Sequence, residues 1–168
     1  MKVHIYTDGA CRGNPGKGGY GIIMEWVDRP SSSDGKSYRK EYSQGYRKTT
    51  NNRMELLAVI VALEQLKKEK LDVVIYSDSK YVIDSVVKGW VFGWLKKKFK
   101  NKKNPDLWIR FLKVYSKQNV KFQWVKGHNN HIQNERCDAL AVKASHNKEL
   151  LVDEGYENRK EDNGRLKI

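Results

Sequence analysis

The chain has 168 residues, of which 39% are hydrophobic and 11% aromatic, which predicts one globular domain and excludes an intrinsically disordered protein. No apolar stretch approaches the roughly 18 residues of a membrane span, and the charged start MKVHIYTDG is unlike a signal peptide, so we expect a cytoplasmic protein with no membrane partner. A formal net charge of +13 indicates a polyanionic partner.

The first predicted strand is VHIYTD, residues 3–8, in which Val3, Ile5 and Thr7 alternate with His4, Tyr6 and Asp8. Glycines at 16, 18 and 21 follow at the spacing of a dinucleotide-binding fingerprint. In that fingerprint the glycines open a helix, whereas Gly21 leads into another apolar alternating stretch. The sequence therefore excludes a dinucleotide cradle here.

Two more strands are predicted directly after the first one. They are YGIIMEWV, residues 20–27, and YRKEYSQGY, residues 38–46, joined through the turn-rich DRPSSSDGK. Three consecutive strands predict an antiparallel meander.

The second half of the chain alternates helices with strands. Residues 51–70 predict a buried helix, residues 72–78 a central strand, and the spacing from Ile83 to Trp90 a second helix. Asn104 and Pro105 predict a cap and first-turn proline for a third helix, which carries Trp108, Phe111, Leu112 and Tyr115 on one stripe. A strand at 120–125 and a helix opened by Asn134, which buries Cys137, Leu140, Ala141 and Ala144, complete the order βββαβααβα.

This order predicts an α/β fold with a five-stranded mixed sheet. The first three strands are antiparallel, the later strands are parallel because helical crossovers join them, and helices cover both faces. We expect one domain over residues 1–156, acting as a monomer, and a poorly ordered charged tail over residues 157–168.

The segment KKKFKNKK, residues 96–103, holds six lysines in eight positions and follows Trp90 and Trp94. Lysines neutralise backbone phosphates and aromatic rings pack on sugars or bases, which favours a nucleic-acid-binding arm. A solvated loop beside two core tryptophans explains the same residues equally well. Composition alone leaves both interpretations open.

Four acids are predicted at the ends of secondary-structure elements: Asp8, Glu55, Asp78 and Asp138. Each could be an ordinary exposed cap. Converging carboxylates repel one another unless cations occupy the site, and Mg²⁺ prefers such oxygen ligands. With only two cysteines and no CxxC pair, a zinc site or disulfide framework is not expected. In a strongly basic protein, the four acids together favour a Mg²⁺ site.

Five motifs in order and spacing resemble the type 1 ribonuclease H family, particularly the bacterial ribonucleases HI. They are YTDGACRGNPGKGGYG, TTNNRMEL, YSDSKYV, WVKGH and NERCDALA, and the resemblance covers about residues 2–156. It implies the ribonuclease H-like fold and endonucleolytic hydrolysis of the RNA strand of an RNA–DNA hybrid, which leaves 5′-phosphate and 3′-hydroxyl ends.

The resemblance also assigns residues to the reaction. The family's four catalytic and metal-binding acids fall on Asp8, Glu55, Asp78 and Asp138, which implies two Mg²⁺ ions with Mn²⁺ as the alternative ion. His128 matches a loop histidine near the attacking water that also aids product release, and Glu135 matches an auxiliary acid that assists metal turnover. Each assignment has an ordinary structural alternative. His128, in KGHNNH, could be a solvated loop residue, and Glu135, at a helix start, could be a cap.

Substrate-binding positions follow in the same way. The match implies RNA contacts at Cys11, Gly13, Asn14, Asn51 and Asn52, a DNA-phosphate pocket at Lys48 and Thr50, and a DNA channel at Trp90, Trp94, Lys96, Lys97, Lys98 and Phe99. The chain departs from the family pattern in two places. Gly89 and Gly93 flank Trp90, where many relatives place an amide side chain that completes the phosphate pocket. The segment GHNNHIQNE lacks the glycine that often stands two residues after the histidine.

Two other functions compete with hybrid cleavage. A silent domain that only binds nucleic acid is disfavoured because all four acids are present. DNA-directed resolvases and integrases of the same superfamily lack the asparagine-rich set that reads 2′-hydroxyls. The family resemblance favours nucleic-acid binding by the lysine segment.

Overall fold

The computed structural model describes residues 1–27, 37–126 and 131–159. Over these ranges the elements, in chain order, are β1 Lys2–Arg12, β2 Gly16–Val27, β3 Tyr38–Thr49, α1 Asn51–Glu64, β4 Asp72–Ser77, α2 Lys80–Val87, α3 Trp90–Lys96, α4 Pro105–Tyr115, β5 Asn119–Trp124, α5 Ile132–Ser145 and α6 Glu154–Glu157. None of the helices in these ranges has the length and apolar character to traverse a lipid bilayer.

The five strands form one mixed sheet in the order β3-β2-β1-β4-β5. The pairs β1–β2 and β2–β3 are antiparallel, whereas β1–β4 and β4–β5 are parallel. The α/β fold with three antiparallel strands followed by parallel strands, predicted from the sequence, is confirmed. The carboxyl ends of β1 and β4 therefore lie side by side at one edge of the sheet.

The alternation along β1 divides the core between the two faces of the sheet. Val3 and Ile5 are fully buried in the main core, which α1 covers with a nearly continuous apolar surface. Tyr6 points to the opposite face and packs with Ile23 and with Cys137 of α5. Helices on both faces, the arrangement expected for a central strand such as β1, are thus observed.

Glycines in β2 and β3 let α5 lie directly on the sheet. A Cβ atom at Gly21 would collide with the carbonyl oxygen of Cys137, and one at Gly45 with the carbonyl oxygen of Ala144. The absent side chains bring the α5 backbone into contact with the sheet. Gly21, which mimics a nucleotide fingerprint in the sequence, therefore serves helix packing.

The helix predicted from Ile83 to Trp90 is wrong as a single element. Gly89 has φ 75°, a left-handed conformation that glycine adopts without a steric penalty, and it separates α2 from α3. Val87 and Trp90 are 65% and 47% exposed, so they do not continue the buried stripe that Ile83 and Val86 begin.

Several other predicted boundaries also differ from the structure. β1 continues past Asp8 to Arg12, β2 begins at Gly16 instead of Tyr20, and β3 continues to Thr49. The first helix ends at Glu64 instead of continuing to residue 70. Beyond it, the Lys70 amide donates to the Lys117 carbonyl at 2.7 Å, so this segment pairs with the turn after α4 instead of with the helix. Asn104 precedes α4, but its side chain does not cap the helix. Its backbone is in the left-handed conformation, and its side chain accepts from Arg53 and donates to Tyr81 instead. The last helix begins at Ile132, two residues before Asn134.

A buried ionic network ties the C-terminal segment to the start of α1. Arg53, whose side chain is almost fully buried, donates to both carboxylate oxygens of Asp153 and to both of Asp106 at 2.7–2.9 Å. The Thr49 hydroxyl donates to Asp153 at 2.7 Å. The network therefore joins the end of β3, the start of α4 and the residues before α6.

The predicted border between domain and tail at residue 156 falls inside α6. Glu157, the first residue of the predicted tail, accepts a hydrogen bond from Arg47 of β3 at 2.8 Å. Residues 160–168 of the predicted tail lie outside the described residues.

We expect Gly21→Ala to lower the free energy of unfolding by about 1–3 kcal/mol, because the added methyl group overpacks the contact with α5. Urea unfolding followed by circular dichroism measures the change. Gly93→Ala is the control, since a Cβ atom there meets nothing within 4 Å and alanine favours a helix. Equal stability of both variants would contradict the proposed close packing.

We expect Arg53→Met to cost about 3–5 kcal/mol of stability, because it leaves two partly or fully buried carboxylates without their cation. Thermal and urea unfolding measure the loss. Arg47→Gln removes an exposed ion pair instead and should cost much less, because solvent screens that pair. A loss from Arg53→Met as small as that control would show that the network does not stabilise the fold.

Candidate metal centre and its surroundings

Three carboxylates from separate parts of the chain meet at the sheet edge. Asp8 lies in β1, Glu55 in the second turn of α1, and Asp78 directly after β4, and one ligand oxygen from each lies within 4.8 Å of the others. The convergence predicted from the sequence is thus confirmed for these three acids.

Gly9 makes this convergence sterically possible. A Cβ atom at this position would lie 2.5 Å from the amide nitrogen of Glu55 and 2.9 Å from Cβ of Met54, so any larger residue would push α1 away from β1. The Gly9 amide also donates to Asp8 at 2.9 Å and orients that carboxylate. The contact between β1 and α1 therefore sets the spacing between Asp8 and Glu55.

Burial and mutual repulsion disfavour the charged forms of these acids. The pKa of Asp8 lies well above its usual range, because burial removes water from the carboxylate and because Asp78, Asp138 and Glu55 add negative charge. Burial, followed by the charge of Asp78, raises the pKa of Glu55 to about 7, although hydrogen bonds from Ser79 and Asn51 oppose this shift.

The donor set fits a hard divalent cation. All three groups offer carboxylate oxygens, the ligands that Mg²⁺ prefers, and a cation among them would offset the repulsion that adds to burial in raising the pKa values of Asp8 and Glu55. The side chains around Glu55 are arranged to hold it in place, since Asn51 donates to it at 3.2 Å. The Ser79 hydroxyl donates to the same carboxylate.

Asp138 lies beside this group, but its carboxylate is not one of the three that come within 4.8 Å of one another. It follows Cys137, whose buried thiol contacts the Tyr6 carbonyl at 3.3 Å, so α5 places Asp138 over β1. Its charge acts on Asp8 and raises the pKa of that group. The fourth predicted acid therefore approaches Asp8 from α5, which lies on the opposite face of the sheet from α1.

The two auxiliary residues are placed differently. His128 falls within residues 127–130, outside the described part of the chain. Glu135 is exposed in the first turn of α5, on the same helix as Asp138. The helix itself is capped by His131, whose Nδ1 accepts from the Asn134 amide at 3.4 Å.

The predicted RNA-contacting residues form a continuous surface next to the acids. Between β1 and β2, the Asn14 side chain accepts from the Asn51 amide at 3.1 Å, and Cys11 contacts the Gly13 carbonyl at 3.0 Å. Asn52 is exposed beside Asn51, at the start of α1. Because Asn51 also contacts Glu55, this surface adjoins the carboxylates directly.

The predicted phosphate pocket lies at the end of β3. Thr50 caps α1, with its hydroxyl accepting from the Arg53 amide at 3.3 Å, and Lys48 is exposed two residues earlier. The same Arg53 anchors the C-terminal segment through Asp153. Sequence reasoning missed this network because its partners are about 100 residues apart.

The aromatic and lysine residues after α2 divide into exposed and buried groups. Trp90 is about half exposed, with the Lys88 ammonium 5.2 Å from its ring centre, and Trp94 is partly buried against Trp108. Lys96, Lys97 and Lys98 are exposed. Phe99 is only 3% exposed and packs in the core, so it anchors the arm and offers no ring to a ligand.

Ser79 is a site residue that sequence reasoning missed. It caps α2 by accepting from the Val82 amide at 3.2 Å, a position that a serine before an apolar helix predicts. Its contact with Glu55 depends on the packing of α1 against α2, which the local sequence does not encode.

Comparison with known proteins supports the same identification. The RNase H family model matches residues 1–146. A ribonuclease H of Desulforamulus reducens is 52% identical over 157 residues, covering 90% of this chain and 92% of that protein. The crystal structure of LC9-RNase H1, a type 1 RNase H with the type 2 active-site motif, has a TM-score of 0.78 at 34% identity and covers 94% of this chain and 79% of its own.

The crystal structure of LC11-RNase H1 in complex with an RNA/DNA hybrid is a more distant match. Its TM-score is 0.59 at 26% identity, and the alignment covers 84% of this chain and 95% of that one. A family match over most of the chain and relatives at about half identity agree with the acidic cluster at the sheet edge, and the chain therefore belongs to the ribonuclease H family of metal-dependent endonucleases.

Proposed function

We propose that this protein hydrolyses the RNA strand of RNA–DNA hybrids at the carboxylate centre and leaves 5′-phosphate and 3′-hydroxyl ends. The convergence of Asp8, Glu55 and Asp78 within 4.8 Å carries the proposal, because three carboxylates this close together could hold a divalent cation. The hybrid bound by the related LC11 enzyme supports the choice of substrate.

Asp8, Glu55, Asp78 and Asp138 would hold two Mg²⁺ ions, or Mn²⁺ in their place. Bound there, the ions would supply activation of the attacking water and neutralisation of charge on the leaving 3′-oxygen. Asn51 and Ser79 keep Glu55 oriented, and the Gly9 amide does the same for Asp8. We assign His128 to the attacking water and product release and Glu135 to metal turnover.

Strand selection would come from the surface around the centre. The wide minor groove of a hybrid presents 2′-hydroxyls on one strand only. We assign their recognition to Cys11, Gly13, Asn14, Asn51 and Asn52, and we assign the DNA phosphate to Lys48 and Thr50. Trp90, Trp94 and the lysines at 96–98 would line the path of the DNA strand.

One chain supplies every residue of this proposed site, so we propose that the monomer is the active unit. Cys11 and Cys137 are free thiols, which agrees with a reducing compartment, and we propose that the protein acts in the cytoplasm.

We expect Asp8→Asn to reduce cleavage of a labelled hybrid by roughly a thousandfold or more, because several kcal/mol of charge stabilisation depend on the bound cations. Hybrid binding measured by fluorescence anisotropy should survive. Glu149→Gln, at an exposed acid outside the site, serves as the control and should cleave like the parent. Parent and variants are tested on hybrid, duplex DNA and duplex RNA with and without Mg²⁺.

Cleavage at the parental rate by Asp8→Asn would refute the proposed centre. Parental activity on duplex DNA equal to that on the hybrid would refute the proposed substrate.

We expect Mg²⁺ at about a hundred times its Kd to stabilise the protein by about 2.7 kcal/mol, a rise in Tm of roughly 5–10 °C. The folded pKa values of Asp8 and Glu55 are raised, so the folded state binds more protons than the unfolded state. Metal-free stability should therefore fall as pH rises from about 4 through about 7 for Glu55 and on to about 9 for Asp8, and Mg²⁺ should restore it. Thermal unfolding across this pH range measures both effects.

The variant Asp8→Asn places a neutral side chain where the fold disfavours an ionised carboxylate, so it avoids the cost of protonating that group on folding and should be more stable than the parent at neutral pH without metal. Lower metal-free stability in this variant would show that repulsion among the acids is not a dominant cost.

A further inference from the structure

A second lysine cluster lies near the amino-terminal ends of the parallel strands, at the end of the sheet opposite the carboxylates. It consists of exposed lysines in the turn after α1, in and after the end of α4, and at the starts of β1 and β5: Lys2, Lys67, Lys68, Lys70, Lys113, Lys117 and Lys121. The acids in the same segments are Glu69 and Asp72. We call this set the rear lysine cluster.

Hydrogen bonds between the two turns hold the cluster together. The Lys70 amide donates to the Lys117 carbonyl at 2.7 Å, and the Gln118 side chain donates to the Lys68 carbonyl at 2.6 Å while it accepts from the Leu71 amide at 2.8 Å. The lysines of both turns therefore stand on one fixed surface.

Ordinary structural roles account for little of this charge. Only Lys113 lies in the last turn of a helix, where the helix dipole favours a cation. None of the seven lysines forms a salt bridge with a described residue, and the nearby Glu64 pairs with Arg110. The cluster thus keeps its positive charge available to a ligand.

The composition of the surface favours phosphates over a protein partner. Protein interfaces are depleted in lysine and use aromatic or arginine anchors, whereas lysine binds backbone phosphates as a point charge. Among the described residues, no strongly exposed large apolar side chain lies in either turn.

The cluster is too far from the centre to touch the same part of the substrate. Lys2 and Asp8 are six residues apart on β1, which is about 20 Å at roughly 3.3 Å per residue. A duplex has a persistence length of about 150 base pairs, so a hybrid seated at the carboxylates cannot wrap around the sheet to its other end without a large bending cost. A flexible single strand that continues from the duplex can.

We propose that the rear lysine cluster binds the single-stranded nucleic acid that extends from a bound hybrid, and so favours hybrids with overhangs over blunt ones. This inference rests on the proposed function, because the hybrid itself must occupy the carboxylate centre.

The test compares kcat/KM for a blunt hybrid of about 12 base pairs with that for the same hybrid carrying a deoxythymidine overhang of about 30 nucleotides, between about 50 and 200 mM salt. The parent should cleave the overhang substrate several times more efficiently at low salt. The triple variant Lys67→Gln, Lys70→Gln, Lys117→Gln should lose this advantage and cleave the blunt hybrid like the parent. Its salt slope for the overhang substrate should fall by about 2, from roughly 0.7 for each lost contact with a single strand.

The matched control is Lys40→Gln, Lys143→Gln, Lys148→Gln, which removes the same charge from exposed lysines elsewhere. It should keep the overhang advantage, and circular dichroism checks that both triple variants are folded. Equal loss in both triple variants would overturn the inference in favour of overall charge, as would a parent without any overhang advantage. A rear variant that keeps the advantage but loses affinity for a poly-glutamate peptide would assign the cluster to an acidic protein instead. Failure of the parent to cleave the blunt hybrid would refute the proposed function itself.

Discussion

The contact between β1 and α1 at Gly9 is the constraint on which the site depends. It places the backbone of Glu55 against the strand that carries Asp8, and the parallel pairing of β1 with β4 adds Asp78 from the other side. The fold thereby holds together carboxylates that repel one another. The raised pKa values of Asp8 and Glu55 reflect the loss of water around these two groups together with this repulsion.

The remainder of the fold resists that repulsion through contacts made away from the acids. On one face, the glycines of β2 and β3 let the α5 backbone rest on the sheet and hold Asp138 over β1. On the other, Arg53 fixes the first turns of α1 and α4 and the C-terminal segment to one another. The rigidity of the centre therefore comes from backbone contact and a buried ionic network at its periphery.

Charge is distributed unevenly over this molecule. A net charge of +13 attracts polyanions, yet the proposed reaction takes place at a group of three converging acids. Without cations, those acids would repel the phosphate that the surrounding lysines attract. If the proposed function holds, metal binding and substrate binding are therefore coupled electrostatically. The lysines at 96–98 and the rear lysine cluster can then act on different segments of one long substrate.

Local pattern in the sequence was enough to predict the mixed sheet, the alternation along β1 and the convergence of an acid on β1 with one directly after β4, because strand periodicity and the parallel crossover are short-range or topological rules. The tertiary structure alone decided the break at Gly89, the burial of Phe99, the bridging role of Asn104 and the Arg53 network. Each of these depends on which distant backbone or side chain approaches the residue. The sequence determined which groups lie at the sheet edge, whereas packing between segments far apart in the chain decided how closely they meet and which side chains hold them there.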